Sequence, residues 1–336
     1  MTRRRPWRAA CVRARVPLHR RRRDAGHPQA KAAWRERARG AATMLVMQTD
    51  WRTWTRAELT AEGMSRRAIR AAVDDGVLVR ARRDRYLPSS APADLIRAVR
   101  VGGRLTCLAL LRLLEVFVVT GEGLHVHLPG NASRMRSPHD RFTPLRGRVS
   151  AGVVLHWLPL LRPLGTGDVC VDVVDALVHA VLCQPARHAV ATLDSALHRG
   201  LVGASEIAEI FAALPAKYGI VRDLLDGRAE SGSETLMRLM VRATGATYEL
   251  QVVMRGIGRV DLVVDGWLVI ECDSEEFHSS WRQQLKDRRR DLALAQRGYV
   301  TWRVTAAQIM YQPDEVAAGL RGLLASRRDG RISTGA

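Results

Sequence analysis

Between residues 259 and 273 the chain reads RVDLVVDGWLVIECD, two short apolar runs joined at Asp265-Gly266. Side chains in a strand alternate faces with period two, and an Asp-Gly pair between two such runs is a hairpin signal. A two-residue turn would set Asp261 opposite Ile270 and send Glu271 to the other face. An odd-length loop with Gly266 left-handed puts Asp261, Val263, Val269, Glu271 and Asp273 together, with Val260, Leu262, Leu268 and Ile270 buried behind them. The apolar alternation favours that second register. Before the hairpin, SETLMRLMVRATG (233–245) carries a helical period with Leu236, Leu239, Met240 and Ala243 inward, Ser231 or Ser233 as cap, and Glu234 in its first turn. After it come a basic helix over 279–297 stopped by Gly298, a strand over 299–305 and a last helix over 306–325.

The other strongly patterned stretch lies near the front. Thr55 and Glu58 have capping-box spacing, Gly63 breaks the first helix, and Ser65 starts a second that Gly76 ends. In that second helix Ile69, Ala72 and Val73 form the inner stripe, and Arg66, Arg67 and Arg70 lie outside it. VLVRARRDRYL (77–87) alternates enough for a β-ribbon carrying Arg80, Arg82 and Arg83. Two short helices and a basic ribbon form a winged helix-turn-helix pattern. A helix fits the major groove, and arginines there and on the wing reach phosphates and guanine edges. From 93 to 226 the patterning is mixed, with helices, two strands and a polar loop. His125, His127 and His156 read as ordinary strand histidines.

These patterns predict an α/β multidomain chain. Residues 1–49 form a basic extension, either a disordered arm or an upstream start with Met44 or Met47 as the true beginning. A winged helix-turn-helix follows over 50–88, a middle α+β module over 93–226, and a C-terminal α/β domain over 228–326. The net charge of +19 changes less than it suggests, because residues 1–43 hold fourteen Arg or Lys against Asp24 and Glu36. The rest is only moderately basic. No run approaches the ~20 apolar residues of a membrane span, so no membrane partner is expected. Five scattered cysteines without a CxxC pair predict neither a disulfide framework nor a zinc site, and a reducing cytoplasmic compartment.

The carboxylates are the candidate chemistry. Asp261, Glu271 and Asp273 on one face would repel one another unless a cation lay between them, and hard oxygen donors suit Mg²⁺ or Mn²⁺. Such an ion polarises a phosphate and lowers the pKa of an attacking water. Asp261 and Glu271 are the candidate metal ligands. Glu234 would complete the shell, and His278 would act as general acid, base or phosphate donor. Lys286, Arg288 and Arg289 on the basic helix would hold a nucleic-acid backbone.

Glu234, Val260-Asp261, Ile270-Glu271-Cys272-Asp273, Phe277-His278 and the Asp287–Asp291 segment resemble the motifs of the restriction-endonuclease-like, PD-(D/E)XK domains related to very-short-patch-repair endonucleases. The resemblance implies an Mg²⁺-dependent phosphodiesterase fold, hence a DNA endonuclease of defence or repair. Asp273 stands where many such nucleases have a lysine, so Lys286 or His278 would supply that charge. Residues 50 to about 200 resemble the AbiEi-type antitoxins of type IV toxin–antitoxin systems, through 55–87, GVVLHW and LDSALHRGLV. That resemblance implies a DNA-binding regulator, with double-stranded DNA and a toxin as partners. A non-catalytic antitoxin or transcriptional regulator is therefore the alternative to a nuclease.

Overall fold

The computed structural model describes residues 51–119, 123–145, 152–273 and 281–328. The basic extension and His278 lie outside them. The described chain is mixed α/β and divides into two compact units, through which it passes alternately. The first gathers residues up to 105 with 126–157 and 163–170; the second holds 106–125, 158–162 and everything from 171 onward. The sequence-based boundary at 226–228 falls inside the second unit.

In the first unit α1 (Arg56–Ala61) starts at a capping box in which Thr55 and Glu58 satisfy each other's backbone N–H groups. The Ser65 hydroxyl accepts from the Ala68 N–H and starts α2 (Arg66–Asp74). Strands β1 (Leu78–Arg82) and β2 (Arg85–Pro88) follow as an antiparallel hairpin. Trp54, Leu59, Met64, Ala68, Ile69, Ala72, Leu78 and Tyr86 form one small core. Each large apolar side chain closed into it contributes roughly 1.5–3 kcal/mol. Helix α3 (Ala93–Val101) packs on β1, and β3 (Arg104–Leu105) opens a three-stranded sheet of order β3-β4-β5 with β4 (Leu124–His127) and β5 (Val153–His156).

The second unit contains α4 (Cys107–Leu113), α5 (Val173–Cys183), α6 (Ala186–His198), α7 (Ala204–Ala213) and the short α8 (Gly219–Asp223). Then α9 (Gly232–Ala243), capped by Ser231, leads into a four-stranded sheet. Its order is β6 (Tyr248–Met254), β7 (Gly258–Val264), β8 (Leu268–Asp273), β9 (Val300–Thr305), antiparallel except for the last pair. Helix α10 (Trp281–Ala295) makes the crossover that a parallel β8–β9 pair requires. Helices α11 (Ala306–Tyr311) and α12 (Pro313–Arg328) end the described chain.

Both faces of this sheet are buried. Leu262, Val264, Leu268 and Ile270 pack with Leu236, Met237, Val241, Ile309 and Leu320, whereas Val263 and Val269 pack with Leu294 of α10. The inner side of α9 differs from expectation. Met237, Arg238 and Val241 are buried, Leu239 and Met240 only partly, and Ala243 is exposed. The reason is Asp194 on α6, which draws Arg238 inward as its ion partner.

Candidate active site

The hairpin adopts the odd register. Val264 pairs with Leu268, Val263 with Val269 and Leu262 with Ile270, around a loop in which Asp265 (φ 47°) and Gly266 (φ 72°) are left-handed. Continuing that register sets Asp261 beside Glu271. Asp261 Oδ2 accepts from the Cys272 N–H at 2.8 Å, which ties the first carboxylate to the strand bearing the second. Glu234 reaches the same region from the first turn of α9. Its Oε2 accepts from the Glu230 N–H at 2.8 Å and the Gln251 side-chain amide at 2.7 Å.

These are not surface acids. Glu271 and Glu234 are buried and Asp261 is partly so, while Asp273 at the strand end is exposed. Burial pushes the Asp261 carboxyl up to about 6, with the charges of Glu234 and Asp273 adding to the rise. Glu271 is pushed up to about 7, again by burial first and then by Asp261. Buried charge is costly unless matched. One Glu271 oxygen shows the shortfall: Arg290 Nη2 lies 2.7 Å from Oε1 but off hydrogen-bonding alignment, so that oxygen has a charged neighbour and no donor. An under-satisfied buried carboxylate beside a second one is a donor set that fits a hard divalent ion. Asp261 and Glu271 are the residues that would hold it.

Two cations and one amide at this place are not evident from sequence. Arg290 lies one turn beyond Lys286 on a helix whose basic residues suggest only backbone contacts. It is Arg290 that meets Glu271, whereas Lys286 is exposed. Arg303 sits opposite Glu271 in the parallel β8–β9 register and pairs with Asp273 at 3.2 Å and Asp291 at 2.9 Å. So Asp273 at the strand end is engaged by an arginine from the neighbouring strand. No period reveals that, because it depends on β9 lying parallel beside β8. Gln251 lies on β6 across from Asp261 with φ +54°, a left-handed value rare for a non-glycine inside a strand. Such strain persists where the surroundings over-determine it, and here the hydrogen bond to Glu234 is part of that constraint.

The proposed nucleic-acid contacts divide. Arg66, Arg67 and Arg70 are exposed on α2, with Arg70 only loosely paired to Asp74 at 3.7 Å. Arg83 is exposed at the hairpin tip and Arg80 is half-buried above the Tyr86 ring. Arg82 is engaged within the fold, where its guanidinium donates to the carbonyls of Val101 at 2.8 Å and Arg134 at 2.9 Å. Arg82 and Arg83 border a cavity of about 280 Å³ that Arg85, Arg104 and Asp168 also line. Burial lowers the pKa of Arg104, and Arg85 beside it adds to the fall. Arg85 and Arg104 come from separate elements, so no local pattern signals this basic cleft. Arg288 and Arg289 are exposed on α10.

No known protein family's profile matches the chain. No solved structure matches it. Two proteins of Mycobacterium tuberculosis are similar: "Uncharacterized protein MT2308" of strain CDC 1551 / Oshkosh and "Uncharacterized protein Rv2248" of strain ATCC 25618 / H37Rv. Each is 35% identical over 141 residues, which is 39% of this chain and 52% of the relative. The chain thus spans about half the length of these curated relatives. Neither name states an activity. Among the described residues no helix is long and apolar enough to cross a membrane.

Proposed function

We propose that the chain is an Mg²⁺- or Mn²⁺-dependent endonuclease acting on double-stranded DNA. In this reading the C-terminal sheet and its helices are a restriction-endonuclease-like domain, and α1, α2 and the β1–β2 hairpin are a winged helix-turn-helix. The observation that carries it is the gathering of buried Glu271 and Glu234 with half-buried Asp261, a Glu271 oxygen being left without a hydrogen-bond donor. When bound between Asp261 and Glu271, the ion would supply Lewis acidity and a water of lowered pKa. The protein's own part is positional. Cys272 N–H fixes the Asp261 carboxylate, the Gln251 amide fixes Glu234, and Arg290 and Arg303 bring positive charge where a phosphate would lie. The exposed arginines of α2 would hold the DNA backbone.

A second reading, a non-catalytic DNA-binding regulator or antitoxin, is favoured by one feature. Arg290 is seated against Glu271, as a substitute for a metal would be. Supercoiled plasmid with Mg²⁺ or Mn²⁺ separates the two. The nuclease reading expects nicking or linearisation that Asp261→Asn and Glu271→Gln both abolish. Retarded but uncut plasmid with either metal, across unmodified, methylated and mismatched substrates, would transfer the assignment to the regulator.

A further inference from the structure

The second unit holds another cluster, away from the carboxylates and of different chemistry. Cys107 is the first residue of α4, His125 lies in β4 and Cys183 is the last residue of α5. They are far apart in sequence and carry no ligand-spacing motif. One ligand atom from each lies within 4.8 Å of the other two. Cys183 Sγ is 4.0 Å from His125 Nδ1. In a loaded tetrahedral site, bonds of about 2.3 Å to sulfur and about 2.0 Å to nitrogen place such atoms roughly 3.5 Å apart. Closing the cluster needs side-chain adjustment and no movement of elements.

We propose that Cys107, His125 and Cys183 form a zinc site, with two thiolates, one neutral imidazole and a fourth position open to a further donor. Two thiolates balance the charge of Zn²⁺, and sulfur with imidazole nitrogen selects it over Mg²⁺. The backbone supports the geometry. Cys107 has φ +52°, an unfavourable conformation for a residue with a Cβ, at the start of a helix. The preceding Thr106 is held on both sides, its N–H donating to the His125 carbonyl at 3.1 Å and its hydroxyl bonded to His179 Nδ1 at 2.7 Å. Cys107 and His125 are buried while Cys183 is exposed, so an ion has a route in. A thiol must lose its proton to ligate, so zinc uptake releases protons and affinity rises with pH.

The site would tie the start of α4, the β4 strand and the end of α5 together. Its test is metal content and spectroscopy of the full chain, purified reduced and free of any His tag. One equivalent of zinc is expected, and Co²⁺ replacing it should give a thiolate-to-metal charge-transfer band with tetrahedral visible absorption. Changing an outer partner of a metal site costs about tenfold or more in affinity, so losing a ligand costs at least that. Cys183→Ala, at the exposed ligand, and His125→Asn should therefore weaken zinc binding by ten-fold or more. Cys170→Ala and Cys272→Ala should bind as the parent does, which removes the thiol beside the carboxylates as the source of the band. Circular dichroism of the apo variants confirms that they fold. Folded Cys183→Ala that binds zinc as tightly as the parent overturns the proposal. So does parent protein that takes up no cobalt, or a mass two hydrogens low that identifies a Cys107–Cys183 disulfide.

Discussion

Asp194 and Glu271 are both buried carboxylates of the second unit, and their neighbours treat them differently. Asp194 accepts from Arg238 at 2.9 Å, Thr235 at 3.0 Å and the Asp226 N–H at 2.7 Å. Burial raises its pKa, while every neighbour acting on it pulls the other way. At Glu271 burial is reinforced by Asp261 and Asp273, and only Arg290 and Arg303 oppose it. The first acid is matched within the protein. The second is only partly matched, its charged form disfavoured by burial and by two other acids, and on the reading proposed above a cation would make up the difference.

The largest expected effect breaks the matched cluster. Asp194→Ala leaves Arg238 buried without its partner, which costs about 3–5 kcal/mol. Urea denaturation should show a midpoint far below that of the parent. A loss under about 1 kcal/mol would mean that Asp194 is no better satisfied than Glu271, and the contrast would fail.

Next comes the opposite sign at the other cluster. A carboxyl whose pKa is raised on folding contributes stability that is full below its unfolded value and is lost as pH rises through the folded one. For Glu271 that window runs from 4.5 to about 7, with Asp261 titrating just below it. The two titrate as a pair. Metal-free protein should therefore lose stability between about pH 5 and about pH 8. Each tenfold change in proton affinity is worth about 1.4 kcal/mol. Glu271→Gln should thus remove most of that slope and gain roughly 2–3 kcal/mol at about pH 8. At low pH parent and variant should coincide. A Glu271→Gln protein less stable than the parent at about pH 8 would show that Arg290 already satisfies the carboxylate.

Magnesium sharpens the same contrast. An ion that binds only the folded state at a hundred times its dissociation constant adds about 2.7 kcal/mol. Saturating Mg²⁺ should raise the melting temperature of the parent at neutral pH and flatten its pH dependence. Asp261→Asn and Glu271→Gln should not respond, and Asp194→Asn should respond like the parent. A response that survives in both site variants would place the ion elsewhere.

The two clusters were unequally legible. Asp261, Glu271 and Asp273 announce themselves because charges interrupt an apolar alternation, and Glu234 because it sits in the first turn of a capped helix. Asp194 and Arg238 carry no such sign. They lie on two helices whose meeting is tertiary, and Arg238 looks from sequence like one more polar position between Met237 and Leu239. The same limit hid Arg303, which needed the parallel pairing of β8 and β9, and the Cys107–His125–Cys183 cluster, whose members come from three elements. Local period and turn chemistry were readable; partners chosen by packing were not.

The smallest expected effect concerns the turn that sets the carboxylate register. Gly266 has φ 72°, and a Cβ added there would meet nothing within 4 Å. Gly266→Ala therefore costs only the left-handed backbone, about 1–2 kcal/mol. Slipping β8 by one residue would avoid that strain, but it would carry the fully buried Leu268 and Ile270 to the sheet's other face and turn Glu271 into the apolar cluster around Leu236 and Leu320. Burying that carboxylate among apolar side chains costs more than the strain. The register should hold, and Mg²⁺ should bind Gly266→Ala as it binds the parent. Retained fold with lost metal response would show instead that the turn, and not the apolar face, brings Asp261 to Glu271.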